Sequence, residues 1–136
     1  MRSAVLTSIA AGMNVTPPTI LCVDDESSIL QLHRMVFESA GYCVLTAKSA
    51  SQALDIFASQ SVNAVVADYW MADMNGLQLA REIRKFNRPV AIIVLSGYDE
   101  LPCESLGVAD AWLRKGEEGP ESLLHRLRGL LLSDCA

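Results

Sequence analysis

The sequence predicts an α/β domain built on a five-stranded parallel sheet, and three observations support this prediction. Five short apolar runs rich in β-branched and aliphatic residues follow residue 18, as is typical of buried strands. Stretches of helical length, with apolar residues at three- and four-residue steps, separate these runs. Strand and helix therefore alternate, as parallel neighbours require, because each crossover needs a connecting segment. Helices are expected on both faces of the sheet.

The predicted elements have recognisable ends. The strands are expected at 19–23, 42–47, 62–67, 90–95 and 110–113. The first helix ends at Gly41, which readily adopts the left-handed conformation of a helix cap, and Ser49 or Ser51 caps the second. The third helix, 75–86, ends in basic residues, and the last begins at Pro120.

Apolar stripes identify the helix faces that are expected to pack on the sheet. In the first helix the stripe is Ile29, Leu32, Val36, Phe37 and Ala40. In the last helix it is Leu123, Leu127, Leu130 and Leu131. Leu124 and Leu132 are left over and are available for a partner or a second copy. His33 lies beside the first stripe without a triad or metal-ligand neighbour, so we interpret it as structural.

Composition excludes several functional classes. The 136 residues are 51% hydrophobic, which is enough for the core of one domain but a tight fit for two. The net charge of −5 is opposite to the basic footprint of a phosphate-backbone binder, so no nucleic-acid partner is expected. No apolar run approaches the roughly 20 residues of a membrane span, so no membrane partner is expected either.

The cysteines predict a reduced, cytoplasmic setting. They form no CxxC pair and have no histidine at metal-ligand spacing, which excludes a zinc site or a thioredoxin-like motif. Cys22 and Cys43 lie in apolar runs and are expected to be buried free thiols.

The domain limits follow from the first and last predicted elements. Residues 1–17 are interpreted as a disordered lead, 18–133 as the folded domain and 134–136 as a tail. The lead faintly imitates a secretory signal, but Thr7 and Ser8 interrupt its short apolar region, so a functioning signal is disfavoured. Met13 is an alternative start.

Polar residues follow the predicted strands at one edge of the sheet. Asp24 and Asp25 come after the first strand, Asp68 after the third, Ser96 after the fourth and Lys115 after the fifth. In an open α/β sheet, ligands bind outside the carboxyl ends of the strands, where the strand order reverses. In a flavodoxin-like doubly wound sheet of order 2-1-3-4-5, that point lies between the first and third strands, so the three aspartates are expected together.

These side chains predict a metal-assisted phosphoryl-transfer site. Three carboxylates in one pocket repel one another unless a cation lies between them, and Mg²⁺ suits such a site because it shares its ligands with water and phosphate oxygens. Lys115 and the Ser96 hydroxyl can each pair with a phosphoryl oxygen, leaving an aspartate as nucleophile. Taken singly, Asp24 equally fits a helix cap, Ser96 a turn and Lys115 a solvated cation. The coincidence of four strand ends carries the prediction.

The polar residues lie in four ordered segments, "ILCVDDE", "VVADYWMADMNGLQL", "IIVLSGY" and "GVADAWLRKG". These segments resemble the acidic pair, the phosphoacceptor segment, the fourth-strand hydroxyl and the fifth-strand lysine of the receiver domain of two-component response regulators, the chemotaxis-regulator-like family. The resemblance covers about residues 19–132. It implies a signalling domain of a phosphorelay rather than an enzyme that acts on a separate substrate.

The resemblance also implies a role for each acidic residue. Asp68 would take a phosphoryl group from a histidine kinase or a histidine phosphotransfer protein. Asp25 and Asp68 would bind Mg²⁺ directly, together with the backbone carbonyl of Trp70. Asp24 would act mainly through bound water.

The resemblance implies further roles in holding the phosphoryl oxygens and in signalling that Asp68 is phosphorylated. Ser96 and Lys115 would hold phosphoryl oxygens. Trp112 occupies the position of the switch aromatic, three residues before the lysine, where Tyr or Phe is usual. Inward movement of Ser96 and Lys115, with a shift of Trp112, would signal by contact with a downstream protein or a second copy.

The sequence departs from the family pattern before and after Lys115. The segment between Ser96 and Lys115 is shorter than is typical and contains Pro102, so the fourth helix is expected to be short or irregular. Gly116 replaces a proline that commonly follows a cis bond, so a trans bond and a different placement of this loop are expected.

Two aromatic residues flank the predicted site. Trp70 lies two positions after Asp68, and Tyr98 lies two positions after Ser96. We expect them to hinder attacking water and to lengthen the life of the phosphoryl state. Ordinary exposed aromatic residues are the alternative interpretation.

Two other functions stay open. A degenerate receiver would bind partners without phosphorylation, which the altered lysine loop favours. A Mg²⁺-dependent phosphohydrolase of the haloacid dehalogenase type would also use an aspartyl nucleophile, but its two acids stand two residues apart, whereas Asp24 and Asp25 are adjacent. Because the chain ends at Ala136, it is expected either to act alone by contact or to be a piece of a larger regulator.

Overall fold

A five-stranded parallel sheet forms the centre of the molecule. The computed structural model describes residues 16–97, 108–114 and 119–135, with the backbone alone for 133–135. The strands are β1 (Thr19–Val23), β2 (Cys43–Ala47), β3 (Ala64–Asp68), β4 (Ala91–Ser96) and β5 (Ala111–Arg114). They lie in the order β2-β1-β3-β4-β5, and every neighbouring pair is parallel. The predicted fold class and strand order are confirmed.

Four helices lie in the described ranges of the chain. They are α1 (Ser27–Ser39), α2 (Ala50–Ser59), α3 (Gly76–Arg84) and α4 (Pro120–Cys135). Helix α4 continues past residue 133, where the domain was expected to end. The predicted fourth of five helical segments, with Pro102, lies in residues outside the described ranges. None of the described helices combines the length and apolar character needed to cross a membrane.

The ends of the helices follow from local hydrogen bonding, and the predicted roles of Gly41 and Ser49 are confirmed. Gly41 has a φ of 98°, the left-handed conformation that glycine adopts most easily, and its N–H donates to the Glu38 carbonyl. The Ser49 hydroxyl accepts from the N–H of Gln52 (3.1 Å) at the start of α2. Asn75 and Gln78 form a capping box at the start of α3.

The two faces of the sheet are covered by different helix pairs. On one face, Phe57 of α2 and Ile83 of α3 belong to a buried cluster with Val65 of β3. On the other, Phe37 of α1 and Leu127 of α4 belong to a second cluster with Val66. All five residues of β3 are buried because this central strand is covered on both sides, which explains its nearly continuous apolar run.

The buried stripe of α1 differs from the predicted one. Its buried residues are Leu30, His33 and Phe37, whereas Leu32 is 42% exposed. Two residues rotate an α-helix by about 200°, so burial of Leu30 turns Leu32 to the opposite side. The ring of His33 stacks on Phe37 with 5.9 Å between centroids, which agrees with its structural interpretation.

One of the two cysteine predictions was wrong. Cys22 is a fully buried free thiol, and burial raises its pKa to about 12. Cys43 is exposed. It begins β2, an edge strand with a neighbour on one side only, so an apolar run at this place in the sheet does not guarantee burial.

Candidate functional site

Three carboxylates meet at the carboxyl ends of β1 and β3. These strands are direct neighbours, with Val23 opposite Ala67, so the next residues, Asp24 and Asp68, lie side by side. One oxygen from each of Asp24, Asp25 and Asp68 lies within 4.8 Å of the others. Asp24 and Asp68 are buried, whereas Asp25 is exposed. This set of carboxylate oxygens fits a hard divalent cation such as Mg²⁺.

Local backbone bonds hold Asp24 in place. Its N–H donates to the Ala47 carbonyl (3.1 Å), which extends the pairing between β1 and β2 by one residue. Its side chain accepts from the N–H of Glu26 (2.9 Å) just before α1 begins. Asp24 therefore stabilises the strand-to-helix turn and contributes to the acid cluster at the same time.

The predicted polar residues of β3 and β4 end their strands rather than following them. Asp68 is the last residue of β3 and pairs with Leu95, while Ser96 is the last residue of β4 and is buried. The N–H of Tyr69 donates to the Leu95 carbonyl (2.7 Å), which continues this pairing beyond Asp68. Strand pairing therefore persists as far as Asp68 and Ser96 at the site.

The fifth strand ends next to the predicted lysine. Arg114 is the last residue of β5 and pairs with Ser96. Lys115 and Gly116 lie outside the described residues, so the role of Lys115 and the trans bond expected in its loop stay predictions. The metal-binding role of the Trp70 carbonyl likewise stays a prediction.

A glycine allows α3 to start against the backbone of Asp68. The N–H of Gly76 donates to the Tyr69 carbonyl (2.8 Å), and a Cβ added at Gly76 would lie 2.7 Å from the Asp68 carbonyl oxygen. Any other residue would force backbone apart at this point. The sequence predicted that a helix begins at residue 75, but not this close approach.

Asp73 lies in the loop after Asp68, between β3 and α3, and sequence reasoning did not select it. Its carboxylate accepts from the N–H groups of Ala50 (3.2 Å) and Ser51 (2.9 Å), the first residues of α2, and from its neighbour Met74 (3.0 Å). The Ser51 hydrogen bond is the largest cause of a lowered pKa at Asp73. No sequence spacing signals this contact, because Asp73 lies in a loop and its partners Ala50 and Ser51 lie in a distant helix.

Aromatic rings connect β5 to the residue after Asp68. The Trp112 ring lies 5.6 Å from that of Tyr69, and Tyr69 meets Trp70 edge-on with 5.0 Å between centroids. Trp70 is 57% exposed. Within the described residues, the buried Trp112 Nε1 has no hydrogen-bond partner. Sequence reasoning selected Trp112 and Trp70 but missed the linking Tyr69; Tyr98 lies outside the described residues.

Comparisons with known proteins agree with one another on the family that the chain resembles. A family model of the response regulator receiver domain matches residues 20–115. The response regulator MprA of Mycolicibacterium vanbaalenii is 35% identical over 118 residues, which are 85% of this chain and 51% of that protein. The transcriptional regulatory protein GlrR of Escherichia coli K12 is 33% identical over 90 residues, 66% of this chain and 20% of that protein. The chain thus spans about half of MprA and a fifth of GlrR.

Solved structures agree with the family match. A CheY-like receiver domain protein from Methanospirillum hungatei superposes with a TM-score of 0.80 at 27% identity, covering 88% of this chain and 97% of that one. TrrA from Thermotoga maritima, solved in complex with Mg²⁺-BeF, gives a TM-score of 0.76 at 32% identity. That match covers 83% of this chain and 98% of TrrA.

Proposed function

The chain belongs to the response regulator receiver domain family of two-component systems, and we propose that Asp68 is its phosphoacceptor. The donor is a histidine kinase or a histidine phosphotransfer protein. The observation that carries this proposal is the acid cluster, in which oxygens of Asp24, Asp25 and Asp68 lie within 4.8 Å of one another at the end of β3. A cluster of like charges at this position favours a function that uses a cation and an anionic group.

Mg²⁺ is the proposed cofactor. Asp25, Asp68 and the backbone carbonyl of Trp70 would hold it directly, and Asp24 would bind through water. When bound, Mg²⁺ would neutralise the acidic cluster and the charge of the incoming phosphoryl oxygens. The Mg²⁺-BeF complex named for TrrA supports this assignment by similarity.

In the proposed reaction, a carboxylate oxygen of Asp68 attacks the phosphorus of a phosphohistidine. A P–O bond forms, the P–N bond breaks, and the released imidazole nitrogen takes a proton from solvent. The Ser96 hydroxyl and the Lys115 ammonium pair with phosphoryl oxygens. Most of the rate comes from positioning and charge neutralisation, because phosphoryl transfer requires little other covalent chemistry of the protein.

The proposed output is a conformational switch that is read by protein contact. A phosphoryl group on Asp68 would draw Ser96 and Lys115 inward and shift Trp112, whose ring lies beside Tyr69. The receiving surface belongs to a downstream protein or a second copy of this chain. The net charge of −5 favours these over direct nucleic-acid contact, and the free thiols Cys22 and Cys43 favour a cytoplasmic setting.

Trp70 and Tyr98 are proposed to slow hydrolysis of the acyl phosphate. The exposure of Trp70, two residues from Asp68, supports this because a large ring there can cover the approach of water. Dephosphorylation should be faster in Trp70→Ala and in Tyr98→Ala than in the wild type. Unchanged rates in both variants would dismiss the shielding role without affecting the phosphoacceptor assignment.

Intact-mass measurement after incubation with Mg²⁺ and acetyl phosphate tests the function. One phosphoryl adduct is expected for the wild type and none for Asp68→Ala. A wild type without an adduct would indicate a degenerate receiver that acts by phosphorylation-independent binding. Sustained release of phosphate over many turnovers would indicate a phosphohydrolase instead.

A further inference from the structure

The segment after Asp68 is tied to a helix that carries none of the proposed site residues. Asp73 uses both carboxylate oxygens for this contact: one accepts from Ala50 N–H at 3.2 Å and the other from Ser51 N–H at 2.9 Å. The partners are the first two residues of α2, where N–H groups have no partner within the helix and the helix dipole favours a negative charge.

Helix α2 already has a cap of its own. The Ser49 hydroxyl accepts from Gln52 N–H at 3.1 Å, which is the ordinary local way to stabilise a helix start. Asp73 differs from Ser49 because it comes from another part of the chain. Its bonds therefore fix the position of its own segment as well as the start of α2.

Two backbone hydrogen bonds also attach the segment at its ends, and Met71 packs against the buried core between them. Tyr69 N–H donates to the Leu95 carbonyl (2.7 Å), and Gly76 N–H donates to the Tyr69 carbonyl (2.8 Å). Residues 70–72 therefore lie between the attachment at Tyr69 and the attachment at Asp73. Trp70, whose carbonyl is the proposed third metal ligand, is one of these residues.

We propose that Asp73 is a positioning residue for the metal site: by bridging to the start of α2, it holds the Trp70 carbonyl in place for Mg²⁺. This inference rests on the proposed function. It adds a residue that touches neither the metal nor the phosphoryl group but sets the geometry of one ligand, a role that typically accounts for about 10- to 100-fold in metal affinity.

Mg²⁺ titration followed by tryptophan fluorescence tests this role. Asp73→Ala should raise the Kd for Mg²⁺ by about tenfold, the low end of the range for a group that supports a ligand. The rate at which acetyl phosphate phosphorylates Asp73→Ala should be below the wild-type rate at low Mg²⁺ and equal to it at saturating Mg²⁺. Asp73→Asn, which keeps one oxygen acceptor, should give an intermediate Kd.

Two control variants separate positioning from stability and from charge. Ser49→Ala removes the other cap of α2 and should lower thermal stability while leaving the Kd unchanged. Asp55→Asn removes one exposed negative charge from α2 and should change the Kd by less than about twofold, as expected for a screened surface charge. A Kd for Asp73→Ala equal to that of either control would overturn the inference.

The outcomes also separate this inference from the proposed function. A wild type that is phosphorylated on Asp68, with an Asp73→Ala variant that binds Mg²⁺ equally well, refutes the positioning role alone. A wild type that binds Mg²⁺ but takes no phosphoryl group refutes the proposed function alone. If Asp73→Ala fails to fold, Asp73→Asn compared with Asp55→Asn decides the question by the same Kd measurement.

Discussion

Charged side chains are arranged differently at the two ends of the sheet. At the carboxyl ends, three acids of the same sign meet within 4.8 Å, and two of them are buried. At the amino ends of β4 and β5, Arg84 forms a salt bridge with Asp110 at 2.9 Å and donates to the carbonyls of Val90 and Val108. Asp110 also accepts from Ile92 N–H at 2.7 Å. At the amino end the charges form a salt bridge, whereas at the carboxyl end three acids of the same sign lie together, an arrangement of oxygen ligands that suits a divalent cation.

The strongest test of this contrast is removal of one acid. Asp25→Asn should raise the Kd for Mg²⁺ by at least about tenfold, because Mg²⁺ depends on carboxylate ligands. The same variant should melt at a higher temperature than the wild type without Mg²⁺, since one like charge has gone. Parallel titration and thermal melts measure both. A lower melting temperature would show that the acidic end is also arranged for stability.

Close backbone packing at the acidic end should make it intolerant of a single methyl group. Gly76→Ala places a Cβ 2.7 Å from the Asp68 carbonyl oxygen, so α3 or β3 must move. We expect a loss of about 1–3 kcal/mol in the free energy of unfolding, typical of overpacking, together with weaker Mg²⁺ binding. Gly129→Ala is the control, because a Cβ there meets nothing within 4 Å. Equal stability of the two variants would contradict the close approach.

Substitutions at the amino ends of β4 and β5 should lower stability without changing Mg²⁺ affinity. Arg84→Ala removes hydrogen bonds to two carbonyls and to Asp110. We expect the free energy of unfolding, measured in urea, to fall by about 2 kcal/mol. Lys85→Ala removes the exposed pair with Glu82 and should cost less than about 1 kcal/mol. Mg²⁺ affinity should be unchanged in both variants. A weaker Mg²⁺ affinity in Arg84→Ala would link the two ends of the sheet.

The smallest expected effect is the pH dependence of the Asp73 bridge. The pKa of Asp73 in the folded chain is lowered from its ordinary value of 3.8, chiefly by the Ser51 hydrogen bond. Its contribution to stability is therefore complete above about pH 4 and is lost as pH falls through the lowered pKa. The difference in melting temperature between wild type and Asp73→Asn should shrink as pH is lowered from 6 to 3. A constant difference would show that the carboxylate charge is unimportant.

Much of the site could be predicted because its main residues mark the ends of strands. An apolar run that stops at Asp24 or Asp68 marks the point where a buried strand reaches the carboxyl end of the sheet. The run itself therefore indicates the position of the acid that follows it. The order of the strands brings these ends together. The boundaries were misplaced by one residue at Asp68 and Ser96, because ladder hydrogen bonds with the neighbouring strand continue past the last apolar side chain.

Contacts between elements could not be predicted in the same way. Asp73 lies in the loop after β3 and Ser51 in α2, Tyr69 meets Trp112 across β4, and Arg84 of α3 reaches Asp110 just before β5. None of these pairs has a characteristic spacing along the chain. Each depends on how loops, helices and strand ends are placed relative to one another in the folded chain.

The sequence alone determined the fold class and the acids that mark strand ends, because hydrophobic periodicity and strand ends are local properties. The strand order that brings these acids together came from the flavodoxin-like fold that the motifs resemble, not from a local pattern. Only the tertiary structure decided which face of α1 is buried, that Cys43 is exposed and that Asp73 bridges to α2. The physical reason is that side chains on one element leave several packing angles nearly equal in energy. The choice among them is made by close packing with all neighbouring elements at once.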